Sequence, residues 1–409
     1  MHDDPPSPRP TVGLGSILGL SLGAVVALGF ARFAYGLLLP PMRADLAWSY
    51  AHAGALNTAN AAGYVIGALA TAAISARLGA GRTFMLGMVV TALALLATGA
   101  TGDFTVLLVL RTVAGFTGAL SFVVGAVLAA QAGIGENARR QGRFIAVYFG
   151  GGGSGMVASA IAVPSVLALG GGWRGGWLAL GALACLCLPI AVRAVAAIGD
   201  RATVAPAAGA PPIQAVRLAP TFVGYILFGA GYIGYMTFII AFLRDAAADD
   251  ATVAAFWCVL GLSSLAGSFV WGRLFAALPG GWPMAAVLIV NAVGAALPLA
   301  GGALGVVLAS AALFGATVMA VPSAATAFVR KSLPERAWTS ALGRLTVVFG
   351  VGQCLGPLVS GALSDAIGIR AGLIASAAIL VAGAVAVLFQ AEPREAQRSY
   401  STRMTTNQG

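Results

Sequence analysis

The sequence predicts an all-α membrane protein with twelve transmembrane helices in two six-helix pseudo-repeats. Three observations predict this fold. The chain is 59% hydrophobic and only 9% charged, with a mean hydropathy of +0.92 over 409 residues. A soluble domain could not cover so much apolar surface. The chain also contains twelve long apolar stretches, and the first six match the last six at a constant spacing.

Each of the twelve stretches is long enough to be a separate spanning helix, because a helix needs about 20 apolar residues to cross the hydrocarbon core. The polar, Pro-rich head at residues 1–10 and the length of the first apolar run argue against a cleavable signal peptide. The expected spans, in chain order, are 12–39, 51–76, 83–101, 104–131, 142–169, 173–197, 216–242, 252–276, 282–301, 303–329, 339–364 and 371–390.

A segment between the sixth and seventh spans interrupts the apolar pattern. It carries Pro206, Pro211 and Pro212 among Ala and Gly, which is typical of an irregular linker. The linker divides the spans into six plus six. The predicted organisation is a tail (1–11), a six-helix bundle (12–198), a cytoplasmic linker (199–215), a second bundle (216–390) and a tail (391–409).

The two bundles repeat each other at an offset of 200 residues. One offset that serves several span pairs in order indicates parallel repeats, an arrangement in which substrate binds near the midplane between the halves. The matched pairs are Gly29 and Gly229, Tyr35 and Tyr235, Asp45 and Asp245, Gly67 and Gly267, Gly115 and Gly315, Thr117 and Thr317, and the segments 149–152 and 349–352.

The distribution of basic residues predicts the orientation. Of the 23 Lys and Arg residues, two lie inside spans, 17 fall on the side of both termini and four on the other side. Cytoplasmic loops carry the excess of Lys and Arg, so we expect both termini in the cytoplasm and a multi-pass protein of the inner (plasma) membrane. The net charge of +10 then reflects orientation, and no nucleic-acid motif is visible.

Only Arg32 and Arg111 place a charge deep inside a span, whereas all thirteen Asp and Glu residues fall at or beyond span ends. Both arginines lie about 10 Å below the outer boundary at roughly 1.5 Å per residue. An intramembrane charge usually faces a polar cavity or a partner, and the guanidinium fork suits carboxylate or phosphate. We therefore predict an anion clamp. The alternative is that each arginine binds neighbouring backbone carbonyls and stabilises helix packing.

Neutral polar and aromatic residues accompany these cations. Asn57, Asn60 and Tyr64 share one helical face of the second span. Donors and aromatic walls beside a cation suit a small organic acid with an apolar body. The alternative is interhelical hydrogen bonding, worth about 0.6 kcal/mol each. The predicted substrate-binding set is Arg32, Tyr35, Asn57, Asn60, Arg111, Tyr148, Tyr232, Tyr235 and Gln353.

No carboxylate is predicted inside a span, so the candidate residues for carrying a coupled proton lie at the ends of the spans. They are Asp45 and His52 near the outer mouth, Asp103 at the start of the fourth span, and Asp365. His52 could titrate near neutral pH. Simple solvation of these side chains is the alternative, as is a substrate that carries its own proton.

Other chemistries find little support in the sequence. Cys185, Cys187, Cys258 and Cys354 all fall inside spans and are interpreted as packing residues, because no partner ligands for a metal accompany them. No nucleophile–base pair is visible. We expect no enzyme activity, no metal and no cofactor.

Three motifs resemble the major facilitator superfamily over nearly the whole chain. Arg111 and Gly115 form an R-x-x-x-G pattern in the fourth span, and Gly172-Trp173-Arg174 precedes the sixth. Residues 29–42, GFARFAYGLLLPPM, are similar to the opening of the YbfB/YjiJ-type subgroup. The resemblance implies secondary transport without ATP hydrolysis, with spans one and four lining the cavity. It does not name a substrate.

Two positions depart from the superfamily pattern. Ala76 stands where the loop between spans two and three normally has an acid, which puts a charge relay for the outward-facing state in doubt. The G-P element of proton-driven drug antiporters is absent from the fifth span, which reads GGGGSG at residues 150–155. The second departure weakens a drug-efflux interpretation.

The predicted function is secondary active transport of a small organic anion, a carboxylate, by a monomer whose two halves rock to alternate access. Proton coupling is compatible with this prediction. One alternative is proton-driven efflux of hydrophobic drugs. An alternative of another class is a membrane sensor that does not transport.

Overall fold

A computed structural model describes residues 13–133, 137–198, 218–333 and 335–391. These ranges are almost entirely helical and contain no strand. They hold twelve helices that are long and apolar enough to cross a membrane, which confirms the predicted fold class. The predicted linker and both tails, apart from Ala391, lie outside the described residues.

We number the spanning helices α1 to α12. Besides α1, three are interrupted or extended: α9 ends in a 3-10 turn, α10 is broken at Met319, and the short helix Gly272–Ala277 follows α8. The bounds are α1 Leu14–Asp45, α2 Tyr50–Leu78, α3 Ala80–Ala100, α4 Phe104–Ala132, α5 Ala138–Ala168, α6 Gly172–Ile198, α7 Ala219–Asp245, α8 Asp250–Val270, α9 Trp282–Ala300, α10 Leu304–Ser332, α11 Glu335–Ile367 and α12 Ile369–Leu388.

Helix α1 is not a uniform α-helix. Its middle third, Val25–Phe33, is π-helical and lies between the α-helical segments Leu14–Ala24 and Tyr35–Asp45. The Ala34 amide donates to the Gly29 carbonyl at 2.9 Å, five residues back. Such wide turns occur mostly as short insertions and frequently at functional sites. Nothing in the apolar pattern of this span predicts the wide turns.

The loop that follows the first helix of each half is built in the same way. Ala47 and Ala247 both have positive φ, 51° and 61°. Ser49 and Asp249 then cap α2 and α8, each accepting a hydrogen bond from the backbone N–H three residues further on. The 200-residue offset of the sequence therefore reappears in backbone geometry.

Close helix packing follows the same offset. Gly67 and Gly115 bring α2 against α4, while Gly267 and Gly315 bring α8 against α10. A Cβ atom at any of these four positions would overlap the backbone of the partner helix. Small residues are the usual means of close approach in membranes, where apolar lipid removes the hydrophobic drive for association.

Each half has its first helix at the centre. Helix α1 packs on α5 and α6, and α7 packs on α11 and α12. Contact between the halves runs along two seams, α2 against α11 and α5 against α8, and also joins the second part of α1 to α7. We call the end where α1 and α7 begin the termini end, and the other the opposite end.

Charge is distributed unevenly between these ends. Every aspartate whose side chain the structure describes lies at the opposite end, at the start or end of a helix. These residues are Asp45, Asp103, Asp245, Asp249, Asp250 and Asp365. The loops of the termini end carry the arginines that predict a cytoplasmic location for that end, and this orientation stays a prediction.

Candidate substrate-binding site

Arg32 lies in the π-helical part of α1 and is only 4% exposed. Its guanidinium carbon is 4.9 Å from the centroid of the Tyr64 ring on α2. The Nε and Nη2 atoms are buried and have no hydrogen-bond partner among the described residues. The backbone-carbonyl bonds considered as an alternative are therefore not seen at these atoms. A buried cation with free donors can accept an anionic group.

Helices of the second half carry polar side chains that face the first half or bond one another. Gln353 of α11 donates from Nε2 to the Tyr232 hydroxyl of α7. Asn57 of α2 donates to Thr237 of α7 at 2.6 Å. The side-chain carbonyl oxygens of Gln353 and Asn57 are buried without a described partner. Polar atoms with unused capacity thus line both sides of the interface.

Arg111 also has buried Nε and Nη2 atoms without a hydrogen-bond partner among the described residues, but its third guanidinium nitrogen is bonded. It is fully buried and donates from Nη1 to the carbonyl of Ala31 at 2.5 Å. Its guanidinium carbon lies 5.0 Å from the Tyr35 ring centroid and 5.2 Å from that of Trp177. This bond matches the backbone alternative considered from sequence. Because Ala31 precedes Arg32, Arg111 holds the stretch of α1 that carries the other arginine.

Four other predicted site residues use their polar atoms inside one half. Each makes a hydrogen bond to a neighbouring helix, which is the alternative role considered for them. The bonds are Tyr35 Oη to Ala53 O at 2.7 Å, Asn60 Nδ2 to Arg111 O at 3.2 Å, Tyr148 Oη to Phe122 O at 2.6 Å, and Tyr235 Oη with Ser310 Oγ at 2.6 Å.

Three of the four predicted coupling candidates lie at the opposite end, within the first half. Asp45 accepts a hydrogen bond from Trp173 Nε1 at 2.8 Å, and Asp103 caps α4. His52 Nδ1 lies 3.0 Å from Ser49 Oγ. Their described hydrogen bonds connect helices of one half or stabilise a helix start. A coupling role for them stays a prediction.

Asp365 differs because it connects the halves. Its two carboxylate oxygens accept the backbone N–H groups of Tyr50 at 2.7 Å and Ala51 at 2.8 Å. These amides begin α2, where the helix dipole favours a negative charge. Arg43 lies over the Tyr50 ring at 3.9 Å. We call this interaction between the end of α11 and the start of α2 the Asp365 contact.

Aromatic rings of the second half form a group beside the polar atoms. The aromatic cluster consists of Tyr225, Phe228 and Tyr232 of α7 and Phe349 of α11. Their rings lie within 7–23° of parallel, with centroids 4.9–6.0 Å apart. Phe228 and Phe349 were not among the residues predicted from the sequence, although Phe349 begins one of the repeated segments.

A cavity of about 420 Å³ lies at the opposite end, between α1, α5, α7 and α8. Its walls are largely aliphatic, and Arg244 and Asp250 form an ion pair at its edge. The prolines of α1 and α5 that line it are Pro40, Pro41 and Pro164.

A known protein family and a known protein resemble this chain in sequence. Residues 24–388 match the family described as uncharacterised major-facilitator-type transporter YbfB. A chloramphenicol resistance protein of Streptomyces lividans is 33% identical over 288 residues, which is 65% of this chain and 71% of that protein.

Solved structures share the fold at low identity. The nucleoside transporter NupG aligns with a TM-score of 0.69 and 15% identity, over 91% of this chain and 99% of NupG. A bacterial homologue of the human lysosomal transporter Spinster, in an inward-facing and occupied conformation, gives a TM-score of 0.69 and 18% identity, over 91% of this chain and 96% of that one. The match over residues 24–388 decides the family: this chain is a multi-pass membrane protein that belongs to the YbfB-type transporters of the major facilitator superfamily.

Proposed function

We propose that this transporter moves a small organic anion, a carboxylate, across the inner membrane by secondary active transport. The observation that carries the proposal is Arg32, a buried cation of α1 whose Nε and Nη2 atoms have no described partner, and whose guanidinium, unlike that of Arg111, has no described hydrogen bond to a backbone carbonyl. Arginine stays charged at any working pH and binds carboxylate through paired donors. Binding the substrate anion would neutralise this charge at membrane depth, where an unpaired charge is costly.

Contacts between the halves at the opposite end support alternating access. At the opposite end the halves are in contact, because Gly36 of α1 approaches α7 so closely that a Cβ would lie 2.7 Å from the Met236 carbonyl oxygen. The Asp365 contact joins α11 to α2 at the same end. With the predicted orientation, this closes Arg32 off from the outside. Rocking of the halves would then expose the same site to each side in turn.

Ligand-dependent stability of the purified protein tests the proposal. A ligand that binds only the folded state raises the melting temperature by mass action. We expect carboxylates to stabilise the protein and lipophilic cations to have no effect. Arg32→Gln should remove the stabilisation without changing the folded yield. Arg174→Gln is the matched control, since Arg174 is another arginine against an aromatic ring, Trp173, but lies at the opposite end.

Two outcomes would contradict the proposal. If Arg32→Gln keeps the full carboxylate response, Arg32 is not the anion-binding group. Stabilisation by lipophilic cations alone would overturn the anion itself. Uptake of the stabilising acid into proteoliposomes, driven by an imposed proton gradient and compared with no gradient, then tests proton coupling.

Drug efflux is the second candidate, and the chloramphenicol resistance protein at 33% identity is the observation that favours it. Chloramphenicol is an uncharged amide that also carries an aromatic ring, and the aromatic cluster and the free amide oxygens could bind it without Arg32. Expression in a strain lacking its own major efflux pump should then raise the inhibitory concentration of chloramphenicol. Resistance that survives Arg32→Gln, with no response of the purified protein to acids, would put efflux first.

A further inference from the structure

We propose that the aromatic cluster is a ring-binding subsite beside Arg32, so that the transported anion is an aromatic carboxylate. This inference rests on the proposed anion transport and narrows its substrate class. The cluster of Tyr225, Phe228, Tyr232 and Phe349 supplies the walls, and Gln353 donates to the Tyr232 hydroxyl. Gly350, next to Phe349, lies against Val65 of α2, and the ring of the neighbouring Tyr64 lies 4.9 Å from the Arg32 guanidinium carbon.

The direction of Phe349 follows from its neighbours on α11. Gly350 faces Val65 of α2 in the other half, whereas Gly352 faces Ala230 of α7, 3.0 Å from the position of its Cβ. Successive helical residues are about 100° apart, so Phe349 points between these two directions. Its ring therefore lies at the inner surface between the halves, where it is only half-buried.

The ring geometry suits a flat ligand. All five ring pairs of the cluster are within 23° of parallel, so the half-buried Phe349 belongs to an ordered set of similarly oriented rings. Aromatic rings prefer offset stacking at such separations, and each pair contributes beyond its buried area. A ligand ring can continue the set in the same orientation while its carboxylate meets a guanidinium.

The equivalent position of the first half does not offer this arrangement. Phe149, 200 residues before Phe349, is 39% exposed and meets Phe122 at 71° and Tyr148 at 78°. Its contacts are edge-to-face, so its neighbours do not extend a parallel set. The two phenylalanines thus form a matched pair, of which only Phe349 is expected to orient a ligand ring.

Binding of two acids of the same charge and similar size tests the subsite. Benzoate has a flat ring, and cyclohexanecarboxylate has a puckered one. Apparent affinities come from the melting temperature of the full-length protein across ligand concentrations. We expect benzoate to bind roughly two- to twelve-fold more tightly, the factor that one aromatic pair supplies.

The variants separate the subsite from the anion site. Phe349→Leu should make the affinities for benzoate and cyclohexanecarboxylate equal. Phe349→Tyr should keep the tighter binding of benzoate, and Phe149→Leu should leave the ratio of the two affinities unchanged. Arg32→Gln should remove binding of both acids. Equal affinities in the natural protein, or a preference that survives Phe349→Leu in a folded variant, overturn the ring subsite and leave anion transport standing. If neither acid nor any other carboxylate binds the natural protein, the proposed anion transport fails and the subsite fails with it.

Discussion

The two seams between the halves are related by the internal repeat, yet they are built from different chemistry. The α2–α11 seam is polar: the Asp365 contact closes its opposite end, and Thr58 Oγ1 donates to the Cys354 carbonyl at 2.8 Å. The α5–α8 seam is made of small and aliphatic residues at its centre, where Gly153 meets Gly261. At its opposite end lies the cavity of about 420 Å³.

The difference comes from single residues at equivalent positions. The position 200 residues before Asp365 is Ser165, whose hydroxyl donates to the Ile161 carbonyl of its own helix at 2.8 Å. One seam therefore carries an acid that reaches the start of a helix in the other half, and the other seam carries a hydroxyl that stays in its own helix. The halves are held at one seam by directed hydrogen bonds and at the other by steric fit.

The largest expected effect is at the α5–α8 seam, where the two halves are held together by steric fit. Gly153→Ala places a Cβ 2.7 Å from the Gly261 carbonyl oxygen, a backbone atom that cannot turn away. Overpacking of this kind costs about 1–3 kcal/mol. We expect a lower melting temperature. Gly142→Ala is the control, because a Cβ there meets nothing within 4 Å and the same substitution should be neutral or stabilising. If Gly153→Ala and Gly142→Ala change the melting temperature equally, the α5–α8 seam is not held by close steric fit.

A smaller effect is expected when the polar seam loses its charge. Asp365→Asn keeps one acceptor oxygen but loses the negative charge at the start of α2. We expect about 1–2 kcal/mol less stabilisation of the closed end, given the exposure of the carboxylate. The measurement is labelling of Thr237→Cys, a residue buried between the halves, by an impermeant maleimide in a background without the four native cysteines.

The labelling rate should rise roughly tenfold in Asp365→Asn. Asp45→Asn provides the matched control, since Asp45 is another aspartate at the same end that binds Trp173 within one half. If both substitutions accelerate labelling equally, the Asp365 contact has no special part in closing this end.

The smallest expected effect belongs to Thr58→Val, which removes one hydrogen bond across the polar seam. Hydrogen bonds between membrane helices average about 0.6 kcal/mol, so labelling of Thr237→Cys should increase by roughly three-fold or less. Thr112→Val removes a bond to Leu108 of the same helix and should leave the labelling rate unchanged. A change larger than that of Asp365→Asn would reverse the ranking of these contacts.

The sequence predicted the spans and the internal repeat because hydropathy and a constant offset need no knowledge of neighbours. The repeat extends to polar pairs that were not anticipated: Thr91 bonds Thr117 at 2.8 Å, and Asn291 bonds Thr317 at 2.9 Å. The two intramembrane arginines also stood out, because charge at that depth is rare.

The environments of those arginines could not be predicted in the same way. Helical spacing gives the face on which a side chain lies, but not the helix that covers it. Arg32 and Arg111 lie at similar predicted depths, yet Arg32 lies over Tyr64 of α2, whereas Arg111 lies against Trp177 of α6. The reach of Asp365 to α2 likewise depends on how two distant helices meet.

The π-helical stretch Val25–Phe33 sets the register of its own C-terminal residues and of the part of α1 that follows. If the stretch returned to ordinary i→i−4 bonding, those residues would turn about the helix axis by about one residue, or 100°. Arg32 would then leave the Tyr64 ring, and the Ala31 carbonyl would leave Arg111. A single helix could thereby withdraw the charge from the interface without any rigid-body movement of a whole half. Cross-linking pairs designed against α1 in either register would report which one is occupied when a ligand binds.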